Sequence, residues 1–136
     1  MSAEMTANAK WILVVEDNNN LLPFFEFVLT EAGYKVIRAV NGQEGLEEYQ
    51  ENREHIHLVV TDLKMPVMGG LQLREQLHQE TPDLPVIAVS AYTDTNEFGK
   101  DVVSKFTAVL LKPFTPGDLL NAVTTALGDQ SAADSL

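Results

Sequence analysis

Five short, mostly apolar runs recur along this chain, at residues 11–15, 34–40, 56–61, 86–89 and 108–111. Runs this short, bounded by turn residues, read as strands rather than buried helices. Ile12-Leu13-Val14-Val15, Leu58-Val59-Val60 and Val86-Ile87-Ala88-Val89 are apolar at every position, with no polar alternation. Strands of that kind need cover on both faces, as parallel strands flanked by helices have. The segments between the runs carry apolar residues at helical spacing, so strand and helix alternate five times. The pattern predicts an α/β fold: a doubly wound, five-stranded parallel sheet with right-handed crossovers.

The helical segments carry their own start and stop signals. One of Asn18, Asn19 and Asn20 is expected to cap the first helix, with Pro23 in its first turn. Leu21, Phe24, Val28 and Ala32 recur at helical spacing, widened by Phe25, Phe27 and Leu29. Phe24, Phe25 and Phe27 cannot all point inward, so one exposed ring is expected. Gly33 ends the helix. Asn41 and Glu44 have the spacing of a capping box, ahead of Leu46 and Tyr49 on an inner face. Gly70 opens a third helix, with Leu73 and Leu77 one turn apart. A polar helix follows the fourth strand, with Phe98, Val102 and Phe106 inward. Thr115, Pro116 and Asp118 start the last helix, whose inner face is Leu119, Leu120, Val123 and Leu127 and whose stop is Gly128. Trp11 is assigned to the core. The expected organisation is a flexible lead-in at 1–10, one domain at 11–128 and a disordered tail at 129–136.

Charge narrows the function. Nine Lys and Arg face 20 Asp and Glu in 136 residues, a net charge of -11. Such a surface repels phosphate backbones and anionic lipid, so no direct nucleic-acid or membrane partner is expected. Cysteine is absent, which excludes disulfides and thiolate metal sites. The polar start lacks the apolar core of a signal peptide, and a cytoplasmic location is expected.

The chemistry lies at the strand ends. The first run ends in Glu16-Asp17, the third in Asp62, the fourth in Ser90-Ala91 and the fifth in Lys112-Pro113. Parallel strands bring these ends to one edge, where open α/β sheets bind their ligands. Glu16, Asp17 and Asp62 together would raise one another's pKa values. A hard divalent cation resolves that repulsion, and a site of few carboxylates that keeps waters suits Mg2+. With the Lys112 ammonium and the Ser90 hydroxyl, the cation would form an anion clamp around one carboxylate. The ligand that fits is a phosphoryl group carried by Asp62, since carboxylate nucleophiles form aspartyl phosphates.

Val14-Val15-Glu16-Asp17, Thr61-Asp62-Leu63-Lys64-Met65-Pro66 with Gly70, Val89-Ser90-Ala91 and Leu111-Lys112-Pro113-Phe114 resemble the four signatures of CheY-like receiver domains of two-component response regulators. The resemblance runs from about Trp11 to Leu127 and implies a flavodoxin-like strand order, 2-1-3-4-5. It implies a single-domain response regulator, a signalling switch rather than an enzyme, that signals by protein contact. Asp62 would accept a phosphoryl group from a histidine kinase or a histidine phosphotransfer protein. Glu16, Asp17, Asp62 and the Lys64 carbonyl would hold Mg2+; Ser90, the Ala91 N–H and Lys112 would meet the phosphoryl oxygens. A cis Lys112-Pro113 bond is implied too. By the same resemblance, Lys64 and Tyr92 flank the path of the hydrolytic water and are expected to screen it. The downstream target is unspecified, and a monomer or weak homodimer is expected.

Two positions depart from the family pattern. Gly69 replaces a usual Asp or Asn, a change expected to stay within the loop. Val109 replaces a usual Tyr or Phe, so switching is expected to run through Ser90 and residues 91–96 rather than through ring rotation at the fifth strand. Two other readings compete. A phosphatase of the haloacid dehalogenase type would need a second Asp two residues after the nucleophile, where this chain has Lys64. A receiver-like module that never takes phosphate would not need every acid, hydroxyl and lysine position filled. His55, His57 and His78 lack partners at ligand spacing and read as surface or core-edge residues.

Overall fold

The computed structural model describes residues 9–91, 93 and 97–128. Five strands, β1 (Trp11–Val15), β2 (Lys35–Ala39), β3 (Ile56–Asp62), β4 (Val86–Ala91) and β5 (Ala108–Lys112), form one parallel sheet in the order β2-β1-β3-β4-β5. The helices bounded among the described residues are α1 (Leu21–Glu31), α2 (Gly42–Asn52), α3 (Gly70–Glu80), α4 (Lys100–Val103) and α5 (Pro116–Leu127); Thr93, Glu97 and Phe98 are helical as well. Side chains alternate across each strand, so the apolar runs supply two cores. Ile12, Val14, Leu58, Val60, Ile87 and Val89 pack under α1 and α5. Leu13, Val15, Val59, Ala88 and Phe106 pack under α2 and α3, with Tyr49, Leu73 and Leu77. No helix among the described residues is long and apolar enough to cross a membrane.

The strands outrun the apolar runs. β3 continues through Asp62, paired with Val89; Ser90 and Ala91 stay in β4, opposite Leu111 and Lys112 of β5. Polar residues at these ends still take ladder bonds, so Asp62, Ser90 and Lys112 leave from rigid strand, whereas Glu16 and Asp17 directly follow the end of β1. The lead-in at 1–8 and the tail at 129–136 lie outside the described residues.

The caps explain where helices begin. Asn18 provides the α1 start: its Oδ1 accepts from the Asn20 and Leu21 N–H groups at 2.8 and 3.2 Å. Asn41 Oδ1 accepts from Glu44 N–H at 2.8 Å, while Glu44 Oε1 takes the Val40 N–H, one residue earlier than a standard capping box. Thr115 and Asp118 complete both legs of their box at 3.0 Å. Gly128, at φ +69°, ends α5.

Three local expectations change. The inner stripe of α1 is Leu22, Phe25, Val28 and Leu29; Ala32 lies past the last turn and is exposed. The exposed ring is Phe27, 66% accessible, against 1% for Phe25. Trp11 is only half-buried, because it starts its strand and stacks on His55 with ring centroids 5.3 Å apart. The helix before β5 is interrupted rather than continuous, with Glu97 and Phe98 helical on one side of Gly99 and α4 on the other. Gly99, at φ +84°, makes the break, although Phe106 is buried and Phe98 and Val102 are partly buried as anticipated.

Candidate functional site

The carboxyl edge of the sheet gathers the acids. Oxygen atoms of Glu16, Asp17 and Asp62 lie within 4.8 Å of one another, the one such cluster of metal-ligating side chains among the described residues. Glu16 is 1% and Asp62 5% accessible, whereas Asp17 is exposed. The Asn18 N–H donates to Glu16 Oε2 at 3.1 Å, but Glu16 Oε1 is buried without a partner. Burial, then the charge of Asp62, pushes the Glu16 carboxyl up to about 8. A buried acid with an orphaned oxygen, beside two more carboxylates, is a donor set that fits a hard cation.

Lys112 crosses from β5, and its Nζ donates to Asp62 Oδ2 at 2.9 Å. Burial alone would lower the lysine pKa; the bond to Asp62 and the charges of Asp62, Glu16 and Asp17 outweigh it and raise the value. Ser90 is fully buried beside this pair of strands, and its Oγ donates to the Ala91 carbonyl at 3.0 Å. The Lys112-Pro113 bond is cis, as the resemblance implied. The strand ends thus bring together Glu16, Asp17, Asp62 and Lys112. Lys64 instead extends outward, with its Nζ 3.6 Å from Glu97 Oε2. Val109 is half-buried in β5 opposite Ala88. Tyr92, and all of 91–96 except Ala91 and Thr93, lie outside the described residues.

The loop after Asp62 is tied down by backbone. Thr61 Oγ1 donates to the Asp62 carbonyl at 3.0 Å, and Gly70 N–H donates to the Leu63 carbonyl at 2.9 Å. A Cβ on Gly70 would overlap the Asp62 carbonyl oxygen, and one on Gly42 would overlap the Met68 carbonyl oxygen. Between these clamps Val67 sits at φ +71°, with Met68 N–H bonded to the Pro66 carbonyl at 2.8 Å. This is a three-residue turn that a β-branched residue adopts only under strain. Nothing local in the sequence marks Val67 as the left-handed position of this loop. Glu97 was missed as well, for it reaches Lys64 from the helical residues before Gly99. The Gly70 approach had a signal, the glycine itself at the start of a helix.

Comparison with known proteins agrees with this geometry. The family model described as "Response regulator receiver domain" matches residues 12–124. A crystal structure of a response regulator receiver domain protein from Clostridium thermocellum superposes with a TM-score of 0.81 at 29% identity, covering 91% of this chain and 98% of that one. The response regulator TrrA of Thermotoga maritima, solved in complex with Mg(2+)-BeF, has a TM-score of 0.77 at 27% identity, covering 87% of this chain and 99% of that one. Among curated relatives, the response regulator receiver protein CpdR of Brucella abortus is 32% identical over 118 residues, 87% of this chain and 97% of that protein. The Escherichia coli transcriptional regulatory protein GlrR is 35% identical over 121 residues, 89% of this chain but only 27% of its own length. Several other relatives are likewise spanned for half their length or less. A five-stranded sheet in this order with an acid pocket at its carboxyl edge defines a CheY-like signalling fold. The chain belongs to the receiver domains of two-component response regulators.

Proposed function

We propose that Asp62 is the phosphoacceptor and that residues 11–128 form the working receiver unit. The observation that carries this reading is the buried Asp62 carboxylate, bonded to Lys112 and clustered with Glu16 and Asp17. The donor would be a phosphohistidine on a histidine kinase or a histidine phosphotransfer protein. An Asp62 oxygen attacks phosphorus, the P–N bond breaks, and the leaving imidazole takes up a proton. Lys112, the Ser90 hydroxyl and the Ala91 N–H face the phosphoryl oxygens, whose charge the lysine offsets. Glu16, Asp17, Asp62 and the Lys64 carbonyl would hold Mg2+, a reading supported by likeness to TrrA, which was solved in complex with Mg(2+)-BeF. Bound there, the cation supplies charge neutralisation of the transferring oxygens. Signalling then proceeds by protein contact in the cytoplasm, with self-phosphorylation and self-dephosphorylation as the only chemistry. Lys64 two residues after Asp62 leaves no general acid for a dehalogenase-type phosphatase.

Incubation with acetyl phosphate and Mg2+, followed by intact mass, tests the reading. The native protein should gain one phosphoryl mass, and Asp62→Asn should gain none while keeping its fold by circular dichroism. A native protein that gains nothing, or an Asp62→Asn variant that gains the mass at the native rate, contradicts it.

A further inference from the structure

The Lys64–Glu97 pair joins the loop after Asp62 to the helical residues just before Gly99. Lys64 lies two residues after Asp62, and Glu97 lies beyond β4, next to Phe98 and Gly99. Both side chains are largely solvated, at 60% and 63% accessible, and 3.6 Å is longer than a charge-assisted hydrogen bond. An exposed pair of this kind is weak and exchanges readily. We propose that Glu97 is a positioning residue for Lys64, and that a phosphoryl group on Asp62 competes with Glu97 for the same ammonium.

This inference rests on the phosphoacceptor reading above. A phosphoryl group adds about −1.5 to −2 charges at neutral pH, far more than a solvated carboxylate can match in a half-buried pocket. Beyond Lys112, bonded to Asp62 Oδ2, and the Mg2+ that the acids would hold, Lys64 is a further cation that the added charge attracts. The four-carbon stem of Lys64 gives its ammonium a wide reach from a fixed backbone. When Lys64 turns inward, Glu97 loses this tie to the β3–α3 loop. Gly99 stands two residues on, at φ +84° with open space where a side chain would be, and can take up the change in chain direction. Phe98, packed at the margin of the second core, would carry that change toward α4. The relay uses an ion pair and a hinge, and needs no aromatic ring at Val109.

Hydrogen exchange at the amides of residues 98–103 reads this tie. Without phosphodonor, E97Q should raise exchange there by about 1.5- to 5-fold, the size of an exposed ion pair. K64M should raise it at least as much, and the double variant no further than K64M alone. With acetyl phosphate and Mg2+, native protein and E97Q should both gain the phosphoryl mass, and only the native protein should show a further rise in exchange. Equal exchange in native and E97Q protein, additive effects in the double variant, or an equal rise in both on phosphorylation would overturn the inference alone. No mass gain in the native protein would overturn the phosphoacceptor reading and the competition with it.

Discussion

The two edges of the sheet handle polar groups in opposite ways. At the amino edge polar groups find local partners, and Glu80 Oε1, which makes no hydrogen bond, lies 3.0 Å from Arg53 Nη2. The Trp11 N–H donates to His57 Nδ1 at 3.1 Å, His78 Nε2 donates to the Leu84 carbonyl at 2.8 Å, and the Val86 N–H donates to Thr107 Oγ1 at 3.1 Å. At the carboxyl edge three carboxylates converge and one buried oxygen stays unpartnered. The same strands produce both edges, so strand geometry does not explain the contrast. One edge closes the fold, and the other holds charges in conflict until a ligand relieves them.

Glycine substitution should separate the edges most sharply. Gly70→Ala drives a Cβ into the Asp62 carbonyl oxygen and should cost about 3 kcal/mol, the upper end for forced insertion. It should also weaken Mg2+ binding, because the loop after Asp62 must shift. Gly33→Ala, in the turn before β2, meets no atom within 4 Å and suffers only from its φ of +98°. That should cost about 1–2 kcal/mol with the Mg2+ response intact. Denaturation midpoints with and without Mg2+ measure both; equal loss of Mg2+ response would erase the distinction.

Proton linkage should run with opposite sign at the two edges. In ion-free protein, folding raises the Glu16 pKa from 4.5 to about 8. Between those values the folded state holds a proton that the unfolded state has lost. The contribution is therefore fully present below 4.5 and declines as pH rises toward 8, by at most about 1.4 kcal/mol per pH unit. Saturating Mg2+ should abolish that decline by keeping Glu16 ionised. His57 is lowered from 6.5 by burial, Lys10 and His55, so its contribution is present above 6.5 and lost as pH falls through the folded value. Its exposure to solvent makes this slope the smaller one. Stability against pH, with EDTA or Mg2+, resolves the two; a Mg2+-independent decline above neutral pH would count against the acid cluster as its source.

The smallest effect belongs to the amino-edge hydrogen bond. β1 pairs Trp11 with Ile56 but Ile12 with Leu58, so His57 is the extra residue of a bulge, and its ring replaces a ladder acceptor. His57→Leu should cost about 0.5–1.5 kcal/mol and leave the Mg2+ response unchanged. Protection of the Trp11 amide from exchange should fall in parallel; unchanged protection would mean the ring is not its acceptor.

Much of this contrast was legible in the chain itself. The apolar runs specify buried parallel strands, and a parallel sheet leaves their ends no choice but one edge. Glu16, Asp17, Asp62 and Lys112 could therefore be assembled without coordinates. The stripe of α1 was displaced because Phe24, Phe25 and Phe27 offer several apolar faces, and packing chose among them. Register is a property of pairs of strands, so the bulge at His57 left no mark in one sequence. Neither did Glu97, whose partner lies 33 positions away by number and is set by loop geometry.

The central claim is that the carboxyl edge stores an electrostatic conflict which a divalent cation relieves. Glu16→Gln tests it most directly, above the pH of about 8 at which the native carboxyl ionises. In EDTA the neutral variant should melt at a higher temperature than the native protein, because one of three clustered charges is gone. In Mg2+ the order should reverse. The native protein should gain about 2.7 kcal/mol at a hundredfold excess over its Kd, and the variant should gain far less. A variant less stable than native in EDTA, or one with an undiminished response to Mg2+, would contradict the account.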